Sequence, residues 1–213
     1  MLERLIVFVE EPSMEATVEH LLPKLMNDVD FETRRFQCKD DLLKNLPDRL
    51  CGYSTWLPEK WAILVLVDRD DDDCLALKQK LEDMAENAGL LSKSRVGTGK
   101  RFQVANRIAI EELEAWFFGD WAAVQAAYPR VPATIPQRAG YRDPEAILGG
   151  TWEALERVLK RAGYFRDCAR SSAPEPWPKR WSQAGIHRIV FEHSLLRFRP
   201  LWLIDAMTAE RVQ

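Results

Sequence analysis

The sequence predicts an α/β fold: a mostly parallel sheet flanked by helices, followed by a helical C-terminal extension. Segments typical of strands alternate four times with segments typical of helices in the first 128 residues, as in right-handed βαβ architectures. The run WAILVLV (61–67) is apolar throughout, as expected of a central strand that is covered on both faces. A chain of 213 residues with 46% hydrophobic content is long enough for one sizeable core.

The elements before this central strand follow from short sequence patterns. The β-branched segment 5–9 predicts a first strand that ends in a turn before Pro12. Ser13 is the expected cap of a helix that Pro23 should kink or shorten. The segment FETRRFQ (31–37) alternates as a second strand does, and DDLLKNLPDRL predicts a short helix interrupted near Pro47.

The elements after the central strand continue the alternation. A helical stripe of apolar residues begins at residue 74 and should stop at Gly89. RFQVANRIAI (101–110) predicts a fourth strand. The following helix, EELEAWFFGDWAAVQAAY, should break at Gly119 and be capped again by Asp120.

The composition of the sequence changes after Tyr128, where the proline-rich connection PRVPATIPQRAGYRDP begins. We therefore expect a catalytic domain over residues 1–128 and a helical and irregular extension over 129–213. Within the extension, Thr151 is the expected cap of a helix that ends at Gly163.

Charge and composition exclude several classes of protein. A formal net charge of -3 gives no overall basic field for binding nucleic acid. The four cysteines and three histidines follow no zinc-binding pattern. The N-terminal apolar run has only five residues and acids on both sides, which fits neither a signal peptide nor a membrane span, so we predict a cytoplasmic protein.

The segment VLVDRDDDD (65–73) places five carboxylates in six positions. Two like charges about 4 Å apart repel by roughly 4 kcal/mol at the dielectric of a protein surface, so either water or a cation must stabilise the cluster. Asp68 and Asp70 should project together if the chain stays extended. Glu10 ends the first strand and would meet them if the two strands are parallel neighbours. Magnesium suits such a carboxylate set, whereas the alternative is that residues 70–73 are a solvated helix cap.

The residues LIVFVEEPS and VLVDRDDDD resemble the Toprim domain, which has a Glu after its first strand and an Asp-x-Asp after its third. Together with RIAIEELEAWFFGD and GGTWEALERVL, they make residues 1 to about 165 look like the bacterial family DUF4276 within the Toprim-like (Rossmann-like) group. The resemblance implies that Glu10, Asp68 and Asp70 are catalytic metal ligands. The implied cofactor is Mg²⁺ or Mn²⁺, as one or two ions.

The resemblance also implies accessory residues around these three. Toprim-like nucleases add an acid after the fourth strand, and Glu112 and Glu114 of IEELEAW supply one here, while Asp72 joins the metal ligands. Glu11 and Glu15 lie near the first Glu of the motif. For each of the acids after the fourth strand, the alternative is a solvated helix start.

A basic segment, GTGKRF (97–102), is a candidate phosphate-contacting loop in which Lys100 would lie near the metal ligands. It lacks the GxxxxGK[ST] pattern of a P-loop. The alternative is a basic surface loop without a role in binding.

The function that these observations favour is a Mg²⁺-dependent nuclease that hydrolyses phosphodiester bonds, with DNA expected ahead of RNA. The resemblance adds a partner ATPase of the AAA or ABC type encoded nearby and a role in phage defence. No membrane partner is expected. The sequence does not decide between a monomer and a homo-oligomer.

Two alternatives remain. The chain could dock on and regulate the ATPase, with Trp116 and Trp121 beside two phenylalanines as a docking patch. It could also be a receiver-like phosphoacceptor that is phosphorylated on Asp68.

Overall fold

The computed structural model describes residues 2–26, 28–96, 100–109 and 114–164. These residues form two compact units, 2–109 and 114–164. The boundary predicted between residues 128 and 129 stays a prediction. Within the described ranges, no helix is both long enough and apolar enough to cross a lipid bilayer.

The first unit is a four-stranded sheet with helices between its strands. The strands are β1 (Arg4–Val9), β2 (Asp30–Arg35), β3 (Trp61–Asp68) and β4 (Val104–Ala109). The helices are α1 (Pro12–Leu25), α2 (Lys39–Ser54), α3 (Cys74–Asn87) and the short α4 (Lys93–Val96). The strand order is β2-β1-β3-β4, and every neighbouring pair is parallel. This confirms the predicted α/β fold.

The core explains why β1 and β3 occupy the centre of the sheet. Their side chains are buried from Leu5 to Val9 and from Ala62 to Asp68, because helices cover both faces of a parallel sheet. On one face, α2 and α3 pack leucines and an alanine at helical spacing against alternate residues of both strands. These residues are Leu42, Leu46, Leu50, Leu77, Leu81 and Ala85 from the helices and Ile6, Phe8, Ile63, Val65 and Val67 from the strands.

Both prolines that were expected to disturb helices lie inside continuous ones. Helix α2 runs through Pro47 from Lys39 to Ser54, so the prediction of an interrupted helix was wrong. An interior proline costs about 3 kcal/mol, but a fully buried leucine contributes roughly 1.5 to 3 kcal/mol, and α2 buries three of them. Helix α1 likewise contains Pro23 but ends only two residues later, at Leu25.

Two predicted helix caps are displaced by one or two residues. Helix α1 begins at Pro12 with Glu11 as its N-cap, because proline suits the first helical position, so Ser13 lies inside the helix. In the second unit, Gly150 with φ +83° is the N-cap of the last helix and Thr151 is its first residue.

Asp73 is a true helix cap, which accounts for one of the five clustered carboxylates. It is the N-cap of α3, and its Oδ1 accepts a hydrogen bond of 2.7 Å from the main-chain N–H of Ala76. The helix ends at Asn87, and Gly89 adopts φ +76° just beyond it, as predicted for its C-terminal stop.

Replacing Asp73 with alanine should therefore lower the free energy of unfolding by about 1 kcal/mol, because an N-terminal N–H of α3 loses its acceptor. Urea denaturation measures this change. The matched control is Asp71→Ala, an exposed residue of the same acidic run, which should shift stability by less than about 0.5 kcal/mol. Equal losses in both variants would contradict the capping role.

The second unit contains three helices and a stretch of 3₁₀ turns. The helices are α5 (Ala115–Gly119), α6 (Trp121–Ala127) and α7 (Thr151–Arg161), and the 3₁₀ turns are Ile135–Gln137, Ala139–Tyr141 and Pro144–Ala146. Asp120 caps α6 by accepting a hydrogen bond from the N–H of Ala123, as predicted from the sequence.

The aromatic residues at positions 116, 117, 118 and 121 are interior side chains. Phe118 stacks against the rings of Trp121 and Tyr141, with both centroid distances at 5.5 Å. Trp116 and Phe117 are buried as well. The four aromatic residues at 116–121 therefore do not form an exposed docking patch.

Candidate metal centre

Glu10 and Asp68 meet at the carboxyl edge of the sheet, the edge formed by the C-terminal ends of the parallel strands. Glu10 directly follows β1 and Asp68 ends β3, and these strands are neighbours with Val9 paired to Leu66. The main-chain N–H of Asp68 donates a hydrogen bond to Oε1 of Glu10. The two residues are only 4% and 6% exposed, so two carboxylates are buried together at this edge.

Residues 69–73, here called the acidic loop, leave the strand in a tight turn. The N–H of Arg69 still donates to the carbonyl of Ala109, over 2.9 Å, and the N–H of Asp72 donates to the carbonyl of Arg69, over 3.0 Å. Asp70 has φ +48°, a left-handed conformation that Asp tolerates better than most residues. The chain is therefore not extended here, and the expectation that Asp68 and Asp70 project together was wrong. Asp68 is buried, whereas 56% of the Asp70 side chain is exposed.

Asp70 nevertheless remains close enough to Glu10 for their charges to interact. Its negative charge is one of the causes that raise the pKa of Glu10. Glu10, Asp68 and Asp70 therefore lie at the same edge of the sheet but differ in burial, and their role as a shared set of metal ligands stays a prediction.

Lys39, which the sequence prediction missed, supplies a positive charge to the acidic loop. Its Nζ lies 2.6 Å from Oδ2 of Asp70 and 3.0 Å from Oδ2 of Asp72. It also donates a hydrogen bond of 2.9 Å to the main-chain carbonyl of Arg69. The Lys39 side chain is only 12% exposed. The sequence did contain a signal for Lys39. This residue follows β2, and because β2 is a parallel neighbour of β1, the C-terminal ends of both strands lie at the same edge of the sheet.

An open cleft of about 330 Å³ lies next to these contacts. Its lining consists of Cys38, Lys39, Asp40, Asp70, Asp71 and Asp72. Four aspartates and one lysine give this cleft, here called the acidic cleft, a strongly negative character. It therefore favours cations over free anions.

Burial raises the pKa of Glu10 to about 7. The hydrogen bond from Asp68 and the charge of Lys39 oppose this rise, while the charges of Asp70 and Glu11 add to it. For Lys39, burial lowers the pKa, but the hydrogen bonds to Asp70 and Asp72 and the charges of Asp70 and Glu10 outweigh burial and hold the pKa above its usual value. Lys39 is therefore an ammonium ion at neutral pH, whereas Glu10 is held near its point of half-protonation.

The chemistry of these groups fits a hard divalent cation. Glu10, Asp68, Asp70 and Asp72 offer carboxylate oxygens and Arg69 offers a carbonyl oxygen, the donors that Mg²⁺ prefers. An ammonium ion already contacts three of these oxygens. Across the described ranges, no three His, Cys, Asp or Glu side chains are positioned to hold a metal ion together in the structure as it stands.

Two of the accessory residues have other partners near the start of α1. The Glu11 carboxylate accepts a hydrogen bond from the hydroxyl of Ser13, and Glu15 forms an ion pair of 2.9 Å with Arg35. Their side chains therefore help to shape the start of α1 and its contact with β2.

Lys100 lies at the opposite edge of the sheet from Glu10 and Asp68. It precedes β4, whose six residues span about 20 Å, and the next residue, Arg101, pairs with Glu59 just before β3 begins. Because β3 and β4 are parallel, this segment enters at the amino ends of the strands. The prediction that Lys100 lies near the metal ligands was wrong.

The acids after β4 fall outside the first unit. Glu112 lies outside the described residues. Glu114 is buried at the start of α5 in the second unit, where it is the N-cap without a capping hydrogen bond from its own side chain. Its proposed role as a metal ligand stays a prediction.

Comparison with known proteins gives one family. No curated protein and no solved structure matches the chain. Residues 9–173, which include Glu10, Lys39 and the acidic loop, match the family described as Domain of unknown function (DUF4276). Because this match covers most of the 213 residues, the chain belongs to the DUF4276 family.

Proposed function

We propose that this protein is a Mg²⁺-dependent nuclease of the Toprim-like group that hydrolyses phosphodiester bonds in DNA or RNA. The observation that supports the proposal is the pairing of buried Glu10 and Asp68 at the carboxyl edge of the sheet, beside an acidic loop that already contacts a cation. Open parallel sheets bind their ligands at this edge.

Glu10, Asp68 and Asp70 are the residues that would hold the first divalent ion. Asp72 is an accessory ligand in this proposal. A bound Mg²⁺ supplies Lewis-acid stabilisation of the charge that develops on a phosphodiester during hydrolysis.

Other groups of the site set the orientation and the charge of these ligands. The N–H of Asp68 fixes the orientation of the Glu10 carboxylate. Burial disfavours the negative charge of the Glu10 carboxylate. A bound cation would stabilise that charge, so binding of the cation and loss of the Glu10 proton are coupled. Lys39 and the turn at Asp70 hold the acidic loop in place.

The acidic cleft sets a condition for the substrate. A phosphodiester is an anion, and the cleft has four aspartates against one lysine. Repulsion between these charges opposes binding of nucleic acid until cations neutralise the carboxylates. The divalent ion would thus be needed for substrate binding as well as for hydrolysis.

The proposal includes a partner ATPase of the AAA or ABC type that recognises the substrate, a role in phage defence and a location in the cytoplasm. The net charge of -3 supports the need for a partner, because the chain has no overall basic field of its own.

A cleavage assay tests the proposal. Supercoiled plasmid and single-stranded oligonucleotides of DNA and RNA are incubated with the protein in Mg²⁺, Mn²⁺ or EDTA, with and without an ATPase encoded beside it. We expect cleavage that requires Mg²⁺ or Mn²⁺ and is absent in EDTA.

Two results would contradict the proposal. Absence of cleavage under all conditions, combined with altered ATP hydrolysis by the partner, would favour the regulatory module. A mass increase of one phosphoryl group after incubation with a small phosphodonor, without cleavage, would favour the phosphoacceptor.

A further inference from the structure

Lys39 is bound much as a metal ion would be. Its Nζ contacts one carboxylate oxygen of Asp70, one of Asp72 and the carbonyl oxygen of Arg69, at 2.6, 3.0 and 2.9 Å. All three partners belong to the acidic loop, whereas Lys39 itself comes from the start of α2. Little of the side chain is exposed, so α2 and the acidic loop are joined by this ammonium.

We propose that Lys39 is an internal cation that competes with the divalent ion for Asp70 and thereby sets the metal affinity of the site. In the metal-free protein the ammonium stabilises the acidic loop. A divalent ion binds Asp70 only after the ammonium has withdrawn from it. This inference rests on the proposed metal centre but adds a residue that the motif does not contain.

The distances make simultaneous binding unfavourable. A magnesium ion lies about 2.1 Å from its oxygen ligands, and Nζ lies 2.6 Å from Oδ2 of Asp70. Two cations that share this carboxylate oxygen would be less than about 5 Å apart. Their repulsion favours one cation at a time on Asp70.

The contacts to Asp72 and Arg69 give the ammonium a position to which it can withdraw. Arg69 and Asp72 flank Asp70 in one turn, which the hydrogen bond from the N–H of Asp72 to the carbonyl of Arg69 closes. Release from Asp70 therefore leaves Lys39 with two oxygen partners. The divalent ion gains Asp70 without expelling the lysine from the loop, and Oδ1 of Asp72 is the oxygen through which that residue would serve as an accessory ligand.

The backbone conformation of Asp70 is a second reason to expect that Lys39 stabilises the metal-free acidic loop. A non-glycine residue at φ +48° is in a sparsely populated conformation, which persists only when surrounding contacts hold it. In the metal-free protein the ion pair with Lys39 is such a contact. Removing the ammonium should therefore loosen the loop until a metal ion replaces it.

Calorimetric titration with MnCl₂ or MgCl₂ alone tests the inference without any assay of activity. We expect Lys39→Met to bind Mn²⁺ at least about 10-fold more tightly than the unchanged protein, because the competing charge is gone. Lys39→Gln should also bind more tightly, and it retains N–H donors for Asp72 and Arg69, so it preserves the fold if the Met variant does not.

The matched control is Lys44→Met, which removes an exposed positive charge from the same helix. Its affinity for Mn²⁺ should stay close to that of the unchanged protein. A second readout is the melting temperature: Lys39→Met should melt lower than Lys44→Met without metal, and saturating Mn²⁺ should remove the difference.

The outcomes separate this inference from the proposed function. Equal or weaker Mn²⁺ binding by both Lys39 variants, with clear binding by the unchanged protein, would overturn the inference and leave the metal centre intact. No binding by the unchanged protein or by any variant would overturn both.

Discussion

Replacing Asp68 with asparagine should reduce metal-dependent cleavage by more than about 100-fold. Changing residues that merely orient metal ligands costs roughly 10- to 100-fold, and Asp68 is proposed to bind the ion itself. Asparagine has nearly the same size and keeps the main-chain N–H that donates to Glu10, so the buried position should still fold. Cleavage rates at saturating Mg²⁺, with melting temperatures measured in parallel, give the comparison.

The control for this experiment is Asp48→Asn, which also removes one carboxylate. Asp48 is exposed on α2 and belongs to neither the carboxyl edge nor the acidic cleft. Its cleavage rate should stay within a factor of two or so of the unchanged protein. If Asp68→Asn cleaved as fast as Asp48→Asn, Asp68 would not be a metal ligand.

Replacing Glu10 with glutamine should make the metal-free protein more stable at pH 8 but not at pH 4.5. Burial raises the pKa of Glu10 from 4.5 to about 7, so the folded state prefers the protonated carboxyl. The unchanged protein therefore loses stability as the pH rises from about 4.5 to about 7, by up to about 3 kcal/mol. Glutamine cannot ionise, and its amide oxygen can accept the same hydrogen bond from Asp68.

Urea denaturation of both proteins in EDTA across this pH range measures the difference. Adding Mg²⁺ at pH 8 should reverse the order, because the ion stabilises only the protein with the carboxylate. The control is Glu19→Gln, which removes one carboxylate from an exposed position of α1. A stability difference for Glu10→Gln that stayed constant from pH 4.5 to 8 would show that Glu10 has an ordinary acidity.

Sequence patterns predicted the parts of the fold that depend on apolar runs. The run at 61–67 contains no polar residue, and it forms the central strand β3 with β1 beside it. Glu10 and Asp68 were predicted to meet because the ends of adjacent parallel strands share one edge. In the structure the N–H of Asp68 donates to Glu10.

Other features depend on forces that a single segment does not reveal. Pro47 stays within α2 because the buried leucines on that helix outweigh one lost hydrogen bond. Asp70 turns out of the strand and pairs with Lys39, which lies 31 residues earlier in the chain. Lys39 itself was missed because its partners come from a different connection between strand and helix.

The placement of Lys100 shows a different cause of error. A basic segment next to glycines suggested phosphate binding, but the direction of β4 decides which edge such a segment reaches. Residues before a parallel strand lie at its amino end, and Arg101 pairs there with Glu59. The residue types of a loop therefore indicate a binding site only when the direction of the adjoining strand places the loop at that site.

The most direct test of the central claim is a crystal structure with Mn²⁺, in which anomalous scattering locates the ion without reference to activity. We predict an anomalous peak at the carboxyl edge with oxygens of Glu10, Asp68 and Asp70 as ligands, at distances of about 2.0 to 2.3 Å. Lys39 should then have withdrawn from Asp70. Crystals soaked in Mn²⁺ that gave no peak at this edge, or gave one bound by other residues, would contradict the account.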